Sequence, residues 1–225
     1  MTNVDLLFTA LMAKMEGSTL PCVARRAGAG RPEATSHAEI EQAAFRLFAE
    51  RGFDDTTLDA IAEAVGVSRR TLFNYYRSKN DIPWGQFDLT LDHFRSLLRE
   101  QPEDLPLWEA VHRAVRRFNE FPEDARPPHV ERMRLILHTP ALQSHSALRY
   151  RDWRGVIAEY AGDRLGRPPD SELPVMIGHV SLALAQSAYD VWLADPTRSL
   201  PDLVTEQMTL LRDHLRAVDA PGHGT

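Results

Sequence analysis

Thr57–Lys79 reads TLDAIAEAVGVSRRTLFNYYRSK, two short helical patterns on either side of a glycine. Every charge from Gly66 to Lys79 is positive: Arg69, Arg70, Arg77 and Lys79. The whole chain carries a formal net charge of -6, so this cationic window needs a local cause. Leu58, Ile61, Ala62 and Val65 supply two turns of apolar face up to Gly66. Ser68 then caps a second helix with Leu72 and Tyr76 facing inward. The spacing predicts a helix-turn-helix, motif 57–76, whose second helix reads DNA.

The residue types fit that chemistry. A helix in the major groove presents its N-terminal residues to the base edges. Arg69 and Arg70 open the helix, and an arginine fork matches the O6 and N7 acceptors of guanine. Asn74, one turn on, suits adenine. Thr71, Phe73, Tyr75 and Lys79 have the reach for backbone contacts, Thr71 and Phe73 also for a thymine methyl. Thr57, at the start of the supporting helix, suits a phosphate. Adjacent arginines alone read as a solvated face, and Phe73, Tyr75 and Tyr76 as core. The helix-glycine-helix spacing, the donors at the second helix's start and the lack of acids from Ala64 to Asn80 together point to DNA.

Outward from the motif, Ser36 and Glu39 form a capping box for a helix with Ile40, Ala43, Ala44, Leu47 and Phe48 on one face, closed by Arg51-Gly52. Beyond Arg77-Asn80, Ser78 is expected to cap a fourth helix carrying Trp84, Phe87, Leu91, Phe94 and Leu98. Later apolar repeats predict helices through Leu107–Phe118, Val130–Leu137, Leu142–Leu165, Glu172–Leu193 and Leu200–Val218. No useful alternating pattern marks a strand, so an all-α fold is expected. Residues 1–33 are expected to be a flexible extension, with Met12 or Met15 an equally good start, and 220–225 a disordered tail.

Several classes are disfavoured. No run approaches the ~18 consecutive apolar residues of a membrane span. Asp5 and Lys14 lie on the wrong sides for a signal peptide, so a cytoplasmic protein is expected. Cys22 is the single cysteine, with no partner for a disulfide or a metal. His138, His145 and His179 lack metal-type spacing. No Ser/His/Asp ordering or Cys/His pair marks an enzyme, and Glu103-Asp104 and Glu123-Asp124 read as surface acids. Gly28-Ala29-Gly30 follows no strand and lacks a third glycine, so no nucleotide cofactor is expected.

Residues 36–94 resemble the DNA-binding domain of the TetR/AcrR family, whose pattern is similar to T-x-x-x-I-A-x-x-x-G-V-S-x-x-T-L-x-x-Y-F-x-x-K. The chain matches at Thr57, Ile61, Ala62, Gly66, Val67, Ser68, Thr71, Leu72, Tyr75 and Lys79, with Tyr76 where the family commonly has Phe. SKNDIPWGQF (Ser78–Phe87) and HTPALQSHSALRYRDWR (His138–Arg154) resemble the regulators encoded beside mycofactocin biosynthesis genes in actinobacteria.

The resemblance implies that Arg69, Arg70 and Thr71 face bases while Tyr75 and Lys79 hold phosphates. It implies a basic arm, here Arg25, Arg26 and Arg31, reaching the minor groove. It also implies a helix-turn-helix domain (34–94) joined by a long helix to a ligand-binding and dimerisation domain (95–219). The last two helices would pair with their twins. Gly178, Ser181, Ala185 and Ala188 offer a small-residue face there, and Val204, Met208, Leu211 and Leu215 an apolar stripe. A homodimer is expected in any case, since one recognition helix reads too few bases and a twofold matches a palindrome.

Trp108, Phe118, Met133, Leu137, Trp153, Met176 and Tyr189 are the expected walls of an effector pocket. Related regulators often bind acyl-CoA thioesters. Arg149, Arg151 and Arg154 would then meet phosphates, although they also read as a solvated helix face. The expected function is a ligand-responsive repressor on a palindromic operator. The alternatives are an activator of the same type, or a small all-α carrier or enzyme without a DNA role.

Overall fold

The computed structural model describes residues 35–122 and 124–218, and the expectations for residues 1–33 and 220–225, including the arginine arm, lie outside them. The described residues form helices joined by turns and loops, with no strand among them. The described residues divide into two compact units, one of residues 35–85 with the loop 124–129, the other of residues 86–122 and 130–218.

The first unit contains α1 (His37–Arg51), α2 (Leu58–Ala64), α3 (Arg69–Tyr75) and a 3-10 segment, Lys79–Trp84. The Ser36 hydroxyl accepts from Glu39 N at 3.2 Å, and the Glu39 carboxylate accepts from Ser36 N at 2.8 Å, closing the capping box. The hydrogen bonds from Thr35 and Ser36 hold the Glu39 carboxyl below its ordinary pKa. The expected apolar face of α1 is buried at all five positions and packs with Phe53, Ile61, Ala62, Leu72, Tyr76 and Ile82 in the core of the unit. The pattern did not signal Glu41, which is buried with its carboxylate accepting from Tyr76 Oη at 2.6 Å.

The expected fourth helix does not begin at Ser78. Ser78 and Asp81 close a capping box on the 3-10 segment, which contains Pro83 and ends at Gly85 with φ +59°. Proline removes a donor and positive φ breaks a right-handed helix, so Trp84 stays outside and the next helix starts at Phe87.

The second unit contains α4 (Phe87–Arg99), α5 (Leu107–Phe118), α6 (His129–His138, its first residue grouped with the other unit), α7 (Pro140–Leu165), α8 (Glu172–Ala194) and α9 (Leu200–Val218). Phe94 stacks on Trp153 at 5.0 Å between ring centroids and meets Phe118 at 4.6 Å, joining α4, α5 and α7. The small face of α8 is used inside the chain. A Cβ on Gly178 would stand 2.8 Å from the Arg154 carbonyl oxygen, so α8 approaches α7 at backbone distance. Ser181, Ala185 and Ala188 are buried with it, as are Val204 and Met208 of α9. The residues expected to make a dimer face are therefore largely core of one chain. Leu210 and Leu215 of α9 and Val175, Met176 and Val180 of α8 are the exposed large apolar side chains among the described residues of these helices. No helix among the described residues is long and apolar enough to cross a membrane.

Candidate nucleic-acid interface

The turn between α2 and α3 is fixed by local bonds. Thr57 caps α2 by accepting from Ala60 N at 3.1 Å, and Ser68 caps α3 by accepting from Thr71 N at 3.1 Å. Between them Gly66 takes φ +71°, a left-handed conformation that costs an L side chain strain. Gly66 N donates to Glu63 O at 3.0 Å and Val67 N to Ala62 O at 2.9 Å, the paired bonds of a Schellman motif. These bonds aim α3 without any ligand.

With Leu72 and Tyr76 buried, the opposite row of α3 is outward: Arg69, Arg70, Phe73 and Asn74 are exposed and Thr71 is half-buried. Phe73 is 42% exposed, so it does not belong to the core. Arg70 and Asn74 make no hydrogen bond or ion pair with the described residues. Neither does Arg77, which the sequence pattern marked only as a break and which is exposed just past α3. Arg69 is different: its Nη1 donates to Asp59 Oδ2 of α2 at 3.0 Å, and its guanidinium lies 5.5 Å from the Phe73 ring centroid. The absence of acids from Ala64 to Asn80 concealed this partner, which lies ten positions before Arg69 and one helix away.

Tyr75 and Lys79 are placed differently from residues that reach outward for a phosphate. Tyr75 Oη donates to the Thr35 carbonyl at 2.7 Å, tying α3 to the residue before α1. Lys79 Nζ donates to the carbonyls of Phe53, Asp54 and Thr56 at 2.6, 3.1 and 2.8 Å and stands 4.4 Å from the Phe53 ring centroid. An ammonium has three donors, and all three go to the loop that ends in the α2 cap. A phosphate contact by either residue would have to replace these bonds. The exposed Arg77 is the better placed cation.

In the second unit the structure brings two of the expected pocket walls together, Phe118 and Trp153, with ring centroids 6.2 Å apart. Phe118 and Trp153 share the aromatic cluster with Phe94. Met133 and Leu137 are half-buried on α6, and the Tyr189 hydroxyl donates to Asn119 Oδ1 at 2.8 Å. Trp108 and Met176 are 40% and 53% exposed, so neither lines an interior in this chain. Burial drives the Tyr189 hydroxyl pKa far up, and it stays neutral at any ordinary pH. Two recesses on this unit are open and charged. A cleft of about 480 Å³ is lined by Asp88, Leu91, Asp92, Arg95, Arg151, Asp152, Gly155 and Glu159. One of about 300 Å³ lies over Arg99, Gln101, Glu103, Tyr160, Asp163 and Arg164. None of the seven expected wall residues lines either.

The three arginines of α7 part company. Arg149 lies 5.1 Å from the Phe87 ring centroid and Arg151 pairs with Asp152 at 2.9 Å. Arg154 makes no ion pair with the described residues. No group of three potential metal ligands occurs among the described residues.

Comparison with known proteins adds three findings. The family model for bacterial regulatory proteins of the tetR family matches residues 40–82, and the MftR C-terminal domain model matches 105–216. The provisionally named mycofactocin biosynthesis transcriptional regulator MftR of Mycobacterium tuberculosis is 41% identical over 173 residues, covering 77% of this chain and 87% of that protein. Two solved structures share the fold. One is FadR of Thermus thermophilus, a TetR-family repressor in complex with lauroyl-CoA (TM-score 0.54, 24% identity, 84% of this chain and 100% of that one). The other is SmeT, repressor of a Stenotrophomonas maltophilia multidrug efflux pump (TM-score 0.53, 17% identity, 78% and 88%).

Proposed function

The chain belongs to the TetR family of bacterial regulatory proteins, with a C-terminal domain of the MftR type, and on that premise we propose that this DNA-binding transcriptional regulator is a ligand-responsive repressor. It acts as a cytoplasmic homodimer on a palindromic operator, and its genes are those of the mycofactocin system. The observation that carries this reading is the outward row of α3, where Arg69, Arg70 and Asn74 stand exposed on a helix fixed by its own caps. Arg69 and Arg70 read guanine and Asn74 reads adenine. Thr57, Thr71, Phe73 and Arg77 serve the backbone and methyl contacts around them. Tyr75 and Lys79 hold α3 and the α2 loop in place.

The effector is a bulky apolar acyl-CoA-like molecule. Support comes from the lauroyl-CoA carried by the similarly folded FadR and from Arg154 on α7, which makes no ion pair with the described residues. Such a molecule represses or releases only through differential affinity for two states of the dimer. The exposed apolar side chains of α8 and α9 (Val180, Leu210 and Leu215) are the surface the twin chain covers.

A gel shift on the duplex upstream of the chain's own gene, with and without lauroyl-CoA, tests DNA binding and effector together. A retarded band that lauroyl-CoA releases is expected. If the dimer makes 6–10 phosphate contacts, affinity falls ~10³ to 10⁵ between 50 and 200 mM salt. Binding indifferent to salt contradicts the phosphate contacts, and a band indifferent to lauroyl-CoA contradicts the effector class.

A further inference from the structure

α3 is seven residues long, and Leu72 is the one side chain of it that is fully buried. Apolar burial is non-directional, so one leucine seats the helix without fixing its rotation about its own axis. The Ser68 cap and the Gly66 turn set where α3 starts. Its other end is held by polar bonds. Tyr75 Oη donates to the Thr35 carbonyl at 2.7 Å, and Tyr76 Oη donates to the Glu41 carboxylate at 2.6 Å. Both acceptors lie at the start of α1. His37 stands edge-on to the two phenol rings, with centroids 5.0 Å from each.

The Tyr76–Glu41 bond is the buried one of the two, its residues 3% and 8% exposed. Replacing both partners of a buried polar bond by apolar groups of the same shape is close to neutral, or stabilising. The pair therefore adds little net stability over two apolar side chains. It adds direction, because a hydrogen bond weakens steeply as its angle closes while an apolar contact slides.

We propose that Glu41 and Tyr76 are positioning residues for base reading, which fix the rotation of α3 against α1. The inference rests on the DNA-reading role of α3 stated above. Both side chains are buried and act on DNA only through the orientation of that helix. Without the pair, α3 samples several rotations. The cognate complex needs one of them, since Arg69, Arg70 and Asn74 must meet their base edges together. A complex with random DNA rests on phosphates and accepts them all. Ordering α3 then opposes cognate binding and leaves random binding alone. If each α3 of a dimer is competent a half to a third of the time, cognate affinity falls about four- to ninefold.

The test uses the full chain, thermal melts and two probes. One probe is a duplex that the wild-type chain selects from a random-sequence pool. The other is the unselected pool itself. Glu41→Met/Tyr76→Phe keeps the shapes and removes the bond. It is expected to melt at or above the wild-type temperature, yet to lower the selected-to-random affinity ratio about four- to ninefold. Tyr76→Phe alone takes this donor from a buried carboxylate and is expected to lower both the melting temperature and the ratio. Glu41→Gln, which retains an acceptor, is expected to keep most of the ratio.

A wild-type ratio in the double variant overturns the proposal, and so does a wild-type ratio in Tyr76→Phe read below its melting temperature. A double variant that melts well below the wild type also overturns it, because the pair would then be holding the fold together. A wild-type chain that selects no sequence overturns the DNA-reading role itself, an outcome visible before any variant is made.

Discussion

The two units differ in how their helices begin. In the first, side-chain caps three positions apart open the helices (Ser36 with Glu39, Thr57 with Ala60, Ser68 with Thr71), and distant bonds such as Tyr76 to Glu41 dock them. In the second, α4, α5, α7 and α8 begin with no side-chain cap bond, and partners far apart shape them. Arg164 donates to the carbonyls of Glu103 and Leu105 at 2.9 and 2.7 Å, Tyr189 reaches Asn119, and Phe94 stacks on Trp153. A turn fixed by caps holds its geometry once its own residues are helical. A bundle fixed by distant pairs holds a geometry only when its helices are docked. The contrast suits the proposed division, in which one unit reads DNA and the other senses the effector.

The largest expected effect falls on the packed unit. Phe94 is fully buried in the aromatic cluster, and Phe94→Ala should cost about 3–5 kcal/mol by denaturant unfolding. Hydrogen exchange should then accelerate in α4, α5 and α7 while α2 and α3 keep their protection. Equal acceleration in both units would break the contrast.

Next is Lys79→Met, expected to cost about 1–3 kcal/mol through three lost carbonyl contacts. It should weaken binding to all sequences while leaving the salt slope unchanged. Arg77→Ala should instead reduce the slope by about one per protomer. A reduced slope in Lys79→Met would return Lys79 to the phosphates. Gly66→Ala should cost about 1–2 kcal/mol, read as a lowered melting temperature, because its Cβ meets open space and only the positive φ opposes it.

The smallest effect is on pH dependence. Burial lowers the pKa of His93 and His112 below the ordinary 6.5. For His112, Glu109 opposes the shift, and Arg212, Arg116 and Arg113 add to it. The unfolded chain binds more protons than the folded one in that window. Stability is therefore full above about pH 6.5 and falls as pH drops toward the folded-state values. His112→Gln should flatten that fall in thermal melts between pH 7 and 5, and an unaltered profile would contradict it.

What the sequence made legible follows the same division of range. Capping residues and helical periodicity act over three or four positions, so α1, α2, α3 and most later helices could be read directly. Apolar spacing also predicted a helix through Trp84, but Pro83 and the positive φ of Gly85 override it. The small face of α8 was visible as a face, yet spacing cannot say which neighbour fills it, and Arg154 of the same chain does. At the DNA-reading surface the exposed row of α3 was legible from periodicity. Its restraints were not: Asp59 reaches Arg69 across a turn, Lys79 reaches back to Phe53, and Tyr75 reaches Thr35. These are facts of docking between elements, and a one-dimensional charge pattern does not contain them.

The central claim is that α3 reads bases through Arg69 and Arg70. Footprinting of the wild-type chain and of Arg69→Ala/Arg70→Ala on the wild-type-selected duplex tests it most directly. The wild type should protect two half-sites whose centres lie ~34 Å or a multiple apart. The double variant should lose that selective protection while keeping salt-sensitive binding to random duplex. An unchanged footprint in the double variant would contradict the claim.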